Sequence, residues 1–222
     1  MKYLAFILFI GLTACHSSPS KQPITVTNTR DSISNPDLHR LLSLYNDINA
    51  DTLEVASQTG EDVSAWKYSG TLIDTALLPL LPAVLRVYEP FFYACYKFDL
   101  DTNTIGLITR TPSEYESSSI KLFALHKKTN TITFETELAD SWGDAGDAVN
   151  ISSWLYRNKE SRWMGILEKS NYSEDLEDTT APISETYDYY HFKWNGNRID
   201  TISTDSSTLV AVYKQISPEK KK

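Results

Sequence analysis

The sequence predicts a mainly β protein, an antiparallel meander forming a sandwich or barrel, with one N-terminal amphipathic helix. Three observations carry that expectation. From Phe91 onward, apolar and polar residues tend to alternate with period two, the repeat of a strand with one buried face. Short turn-forming stretches (DLDTNT, KKTN, NKES and NGN) separate several of these runs, as successive hairpins require. One stretch, after Asn35-Pro36, instead spaces its apolar residues as a helix does.

Taken along the chain, residues 15–34 are rich in Ser, Thr and Pro and read as a flexible tether. Asn35 can cap a helix and Pro36 suits its first position. Leu38, Leu41, Leu42, Tyr45 and Ile48 then share one face, which predicts a helix over 36–49. ALLPLLPAVL, residues 76–85, is strongly apolar but far short of the roughly 20 residues needed to cross a membrane. Pro79 and Pro82 deny it a regular helix or central strand, so it reads as a buried crossing with a short helix after Pro82. Strands follow at FFYACYKF, IGLITRT, SIKLFALHK, TITFETEL, SSWLYRN, RWMGILEK, ETYDYYHFKW and NRIDTIST. In TITFETEL, Ile132, Phe134, Thr136 and Leu138 fall on one face, and Thr131, Thr133, Glu135 and Glu137 on the other. SSTLVAVYKQI, residues 206–216, fits strand or helix. A single β-rich domain thus spans 35–218, followed by a basic tail at 219–222. The hairpin IKLFALHKKTNTITFETEL also resembles a fragment of a β-propeller blade. The chain is too short for a usual multi-blade ring and carries no internal repeat.

A chain of 222 residues supports one good core. With 41% hydrophobic and 23% charged residues it is globular rather than disordered. A net charge of −8 argues against nucleic acid as a partner, because such binding needs basic patches that displace counterions. It argues equally against electrostatic docking on anionic lipid.

The leader supplies another route to a membrane. Lys2 precedes the apolar run Tyr3–Leu12, and Leu12-Thr13-Ala14-Cys15 then gives way to a polar stretch. The order of cation, apolar run and small residues is that of a secretory signal. The tetrapeptide resembles the lipobox of bacterial lipoproteins. That resemblance implies cleavage after residue 14 and acylation of Cys15, whose thiolate is the nucleophile that takes the lipid. Two or three acyl chains anchor a protein effectively permanently. His16, in place of an aspartate, implies the outer membrane, with the domain facing the periplasm. Lipidation consumes Cys15, so Cys95 has no partner for an internal disulfide. Its aromatic setting reads as that of a buried, inert thiol.

Several segments are candidate sites. ADSWGDAGDAVN, residues 139–150, gathers Asp140, Asp144 and Asp147 around Gly143, Gly146 and Trp142. Aspartates supply hard oxygen ligands, but Asp and Gly also build turns unaided, and the spacing fits no metal loop. A structured turn is the better reading, with Trp142, Asp144 and Asp147 as candidate binding residues. In DLDTNTIG, Thr104 stands where a calcium loop needs glycine, so a hairpin turn is expected there. Glu135 and Glu137 share a polar strand face rather than flanking a cleft. The four histidines, His16, His39, His126 and His191, form no metal-ligand pair. No HExxH, GxSxG, GxGxxG or GxxxxGK pattern occurs. In YDYYHFKW, Tyr187, Tyr189 and His191 alternate with Tyr190, Phe192 and Trp194. One face must enter the core, while the other could stack on a sugar or a protein partner. SEDLEDTTAPISE, residues 173–185, has five carboxylates and no cation and reads as a solvated loop.

Together these features predict an envelope lipoprotein, held by acyl chains on Cys15, that binds another envelope protein or a glycan without catalysis. No catalytic residue, cofactor or metal is expected. Two other readings stand beside it: a periplasmic hydrolase whose site assembles from distant residues near Asp144 and Asp147, and an acidic immunity or inhibitor protein.

Overall fold

The computed structural model describes residues 33–57, 66–83, 91–113, 119–176, 180 and 182–216. The leader, Cys15 and His16, the tether up to residue 32 and the basic tail at 219–222 lie outside them. Ile33, at the end of the predicted tether, is already buried against the domain.

Helix α1 spans Pro36–Ser43, with the Asn35 side chain accepting from the Asp37 N–H at 2.9 Å. It buries Leu38 and Leu41. The helix is shorter than its apolar spacing predicts because tertiary contacts claim the next turn. The buried Tyr45 hydroxyl bonds Thr109 Oγ1 at 2.7 Å, and Lys97 Nζ donates to the Tyr45 carbonyl at 2.5 Å. Residues Asn46–Asp47 form β1 instead, paired in parallel with a later strand at Tyr96 and Lys97. Strands β2 (Thr52–Ala56) and β3 (Thr71–Leu72) follow. In the Pro-rich crossing a 3₁₀ turn spans Leu78–Leu80, and Leu77, Leu78 and Leu81 are buried; the short helix expected after Pro82 falls largely on residues 84–90, outside the described residues. Pro79 sits in that turn's first positions, where its missing N–H costs nothing.

The eight strands read from the periodicity are all present. They are β4 (Tyr93–Asp101), β5 (Thr104–Thr111), β6 (Ser119–His126), β7 (Thr131–Asp144), β8 (Asp147–Arg157), β9 (Trp163–Ser173), β10 (Ser184–Trp194) and β11 (Ile199–Ser203). Helix α2, Ser206–Ile216, resolves the ambiguity of the final stretch. Among the described residues eleven strands form one largely antiparallel meander, ordered β1-β4-β5-β6-β7-β8-β9-β10-β11, with β2 beside β8 and β3 beside β4. The sheet is not closed into a barrel. The propeller-like hairpin β6–β7 is continuous with its neighbours on both sides.

The meander folds over at β7. Residues Thr131–Ala139 pair with β6, and Asp140–Asp144 pair with β8. Where β7 leaves β8, β2 takes the vacated edge, with Thr52 opposite Tyr156. Ser153 Oγ donates to the Leu138 carbonyl at 2.5 Å and pins the crossover. Two bulges bend β7, since Leu138 and Glu135 are each skipped by the β6 ladder. They break the alternation expected of TITFETEL: Leu138 and Ala139 are both buried, while Phe134 is turned out and is 39% exposed. The Glu135 carboxylate accepts from the Ile199 N–H at 2.9 Å, bridging β7 to the start of β11.

Three apolar clusters follow from this folding. The central one, between the two half-sheets, joins Phe98, Leu100, Ile108 and Leu122 to Leu155, Trp163, Phe192 and Trp194. A second lies outside β4–β6, under α1 and the Pro-rich crossing, and includes Phe92, Leu107 and Phe123. A third packs α2 through Leu209 and Tyr213 on Ile166 and Tyr189. Strands β5 and β6 are therefore buried on both faces, as their near-continuous apolar sequences suggest.

Gly165 marks the tightest approach in the central layer. A Cβ there would meet Phe192 Cζ at 2.1 Å and Leu155 Cδ2 at 2.9 Å. Gly165→Ala is expected to cost about 1–3 kcal/mol by overpacking, read as a lower urea midpoint with an unchanged slope.

Candidate functional site

The segment 139–150 is not a loop. It is the hairpin β7–β8, closed by Ala145 at φ 50° and Gly146 at φ 92°. Two left-handed residues in succession are what a tight hairpin turn requires. Asp144 and Asp147 pair across that turn, and both are exposed. Trp142 pairs with Val149 and is 37% exposed. Asp140 is drawn inward, where Ser113 Oγ donates to it at 2.9 Å. Burial pushes its carboxyl above the usual range, against the effect of that hydrogen bond. The candidate residues Trp142, Asp144 and Asp147 thus share one hairpin tip. Among the described residues no three His, Cys, Asp or Glu side chains are placed to hold a metal ion.

The aromatic strand is used on both faces. Phe192 and Trp194 enter the central core, as one face had to. Helix α2 covers much of the other. There Tyr189 donates to Glu168 at 2.6 Å and its ring lies 5.7 Å from that of Tyr213. His191 stacks on Tyr156 and shares a 2.9 Å hydrogen bond with its hydroxyl. Tyr187 remains exposed, and its hydroxyl donates to Glu185 at 2.5 Å. The other described histidines have local roles: His39 bonds the Ile33 carbonyl at 2.6 Å, and His126 bonds Thr133 Oγ1 at 3.1 Å. Cys95 is buried, its Sγ 3.3 Å from the Tyr68 carbonyl, and burial pushes the thiol up to about 11. Glu137 pairs with Lys121 at 2.8 Å and Glu135 holds β11, so neither is poised as half of an acid pair.

The topology places a different site. In a meander, alternate turns fall at the same end, so the β4–β5, β6–β7, β8–β9 and β10–β11 turns are brought together. Folding at β7 sets the first two across from the last two. Between them lies a cleft of about 630 Å³ lined by Asp99–Thr102, Lys127, Arg157, Ser161, Arg162 and Trp194–Gly196, within the roughly 300–1,000 Å³ range of small-ligand sites.

The β4–β5 turn is its fixed floor. Lys127 Nζ reaches both Asp99 Oδ1 and the Thr102 carbonyl at 3.1 Å. Trp163 Nε1 donates to the Asp99 carbonyl at 2.9 Å, and Arg157 Nη2 shares that acceptor at 3.2 Å. Trp194 Nε1 donates to Asp101 Oδ2 at 2.6 Å, while the Asn103 N–H takes Oδ1 at 2.7 Å. The β8–β9 turn is organised by Asn158 Oδ1, which accepts from the N–H groups of Glu160 and Arg162. Ser161 adopts φ 59° there, and its carbonyl receives Arg157 Nη1 at 2.8 Å. Arg157 also lies over the Trp163 ring, 4.5 Å from its centroid. Among the described residues Arg157 pairs with no carboxylate. Arg162 pairs, among the described residues, with the exposed Glu160 alone, at 3.3 Å.

Comparison with protein-family models, with curated proteins and with solved structures finds no match for this chain. The site therefore rests on its own geometry.

Two outcomes test that geometry. Trp194→Phe removes a hydrogen bond to a carboxylate and should cost about 1.5–3 kcal/mol, measured by urea unfolding. Burial holds the His191 imidazole below its ordinary value of 6.5, so the unfolded chain binds the extra proton. The stability this contributes is complete above 6.5 and is lost as pH falls through the lower folded value. His191→Gln should lose less stability than the native chain between pH 7.5 and pH 5, read as a smaller shift in urea midpoint.

Proposed function

We propose that this chain is a lipid-anchored envelope lipoprotein, moored by acyl chains on Cys15 at the outer membrane and facing the periplasm. Its β domain acts as a non-catalytic module that binds an envelope protein or glycan. The anchor rests on Leu12-Thr13-Ala14-Cys15 and the apolar leader before it. The binding role rests on one observation above all: four turns distant in sequence converge on a single polar cleft.

The state of the cleft's carboxylates favours recognition over proton transfer. Asp99 is engaged by Lys127. Both oxygens of Asp101 accept N–H donors. A general acid or base must exchange its proton with substrate, whereas these groups hold the walls in place and still offer lone pairs to a ligand.

Mass spectrometry of the processed amino terminus should find a fatty-acylated Cys15. Cys15→Ala should leave the membrane fraction, and unchanged partition of that variant defeats the anchor. For the module, solubilised envelope glycan or a cognate envelope protein should raise the melting temperature of the purified chain. Thr102→Trp, at the mouth of the cleft, should abolish that rise. A shift untouched by Thr102→Trp places binding elsewhere.

A further inference from the structure

We propose that the four-turn cleft is an acidic-saccharide site, in which Arg157 takes the carboxylate or phosphate of a sugar unit and the surrounding acids and turn groups take its hydroxyls. This rests on the reading of the domain as a binding module and names its ligand class.

Charge is the first argument. The whole chain has 21 basic and 29 acidic side chains. The cleft reverses that balance, with Lys127, Arg157 and Arg162 against Asp99 and Asp101. Of the two acids, Asp99 is matched by the buried Lys127. Asp101 is capped by the Trp194 and Asn103 N–H groups. Among the described residues no carboxylate meets the charge of Arg157, which leaves it for a ligand.

Preorganisation is the second. Arg157 is held by two neutral carbonyls and an indole face, so its direction is set without neutralising it. A guanidinium has five N–H bonds, and those not spent on Ser161 and Asp99 match the planar fork of a carboxylate or phosphate. The turn that fixes it keeps Ser161 in the left-handed region. Such a conformation is unfavourable in a residue other than glycine and persists where the surrounding structure holds it.

The mixed lining is the third argument. A bare anion would need only cations. Here Asp99, whose Oδ2 has no hydrogen-bond partner among the described residues, lies beside the guanidinium donors. Alternating donors and acceptors suit the hydroxyls of a sugar ring. Trp163 is covered by the core and by Arg157, and Trp194 is buried, so recognition runs through polar edges and charge.

Calorimetry on the purified full chain tests this with three probes: trigalacturonate, its methyl ester, and glucose 6-phosphate. Trigalacturonate should bind, and its uncharged ester should bind about tenfold more weakly or not at all. Affinity should fall as salt rises from about 50 to about 500 mM. Arg157→Gln should weaken binding about tenfold. Because Arg157 also supports a turn, Arg162→Gln is the second variant. Arg162 is exposed, so its loss should leave the melting temperature unchanged and weaken binding about threefold. Binding of glucose 6-phosphate in place of trigalacturonate, with the same dependence on Arg157, identifies phosphate as the charged group. Equal binding of acid and ester, or binding indifferent to both arginine variants, overturns the assignment. If no sugar probe binds but an envelope protein still raises the melting temperature in a Thr102-dependent way, the saccharide assignment fails and the module reading stands.

Discussion

Everything in this fold depends on β7 serving two partners in turn. Its first part belongs to the β6 ladder and its last part to β8. The bulges at Leu138 and Glu135 let one strand turn from one half-sheet to the other. Without that turn the meander would be an open sheet with Phe98, Leu122, Leu155 and Phe192 facing water. With it, those residues bury one another, and burial of apolar area is the dominant favourable term in folding. The crossover leaves one edge of β8 short of a partner, and β2 supplies it.

The same turn creates the cleft. An open meander would carry its four alternate turns in a row, too far apart to share a ligand. Folded over, they ring a common space, and side chains from three of them close on the β4–β5 turn. Surface turns are ordinarily the mobile part of a β protein. Here Lys127, Arg157, Trp163 and Trp194 fix one turn through its carbonyls and carboxylates. A rigid polar concavity follows from the packing itself, because the two indoles that donate to the turn are also core residues.

Much of the fold was legible in the sequence, and the reasons are local. Alternation marks strands wherever one face is buried, so β4 to β11 were all found. Alternation failed inside β7, because a bulge shifts every following side chain to the other face and depends on tertiary demand rather than residue type. The segment 139–150 reads as a structured turn bearing Trp142, Asp144 and Asp147 because Asp and Gly are turn residues. Only Ala145 and Gly146 needed to turn, and Trp142 and Val149 carried the strand signal on either side. Helix α1 ended early because Tyr45 and Lys97 form contacts that helical spacing cannot reveal. The cleft was invisible for a stronger reason. Trp194 and Asp101 are 93 positions apart, and no short motif records a meeting set by topology.

The pairing of β2 with β8 also sets an order of events. Thr52 and Tyr156 are 104 positions apart, and most of the domain lies between them. The later hairpins close over short loops and can zip up one after another, whereas the β2–β8 contact must first meet a large loop-closure entropy. A folding chain therefore leaves Leu53 and Val55, which end buried, uncovered until β8 is in place. A strand near the start of the domain thus depends for its ladder on one about a hundred residues later.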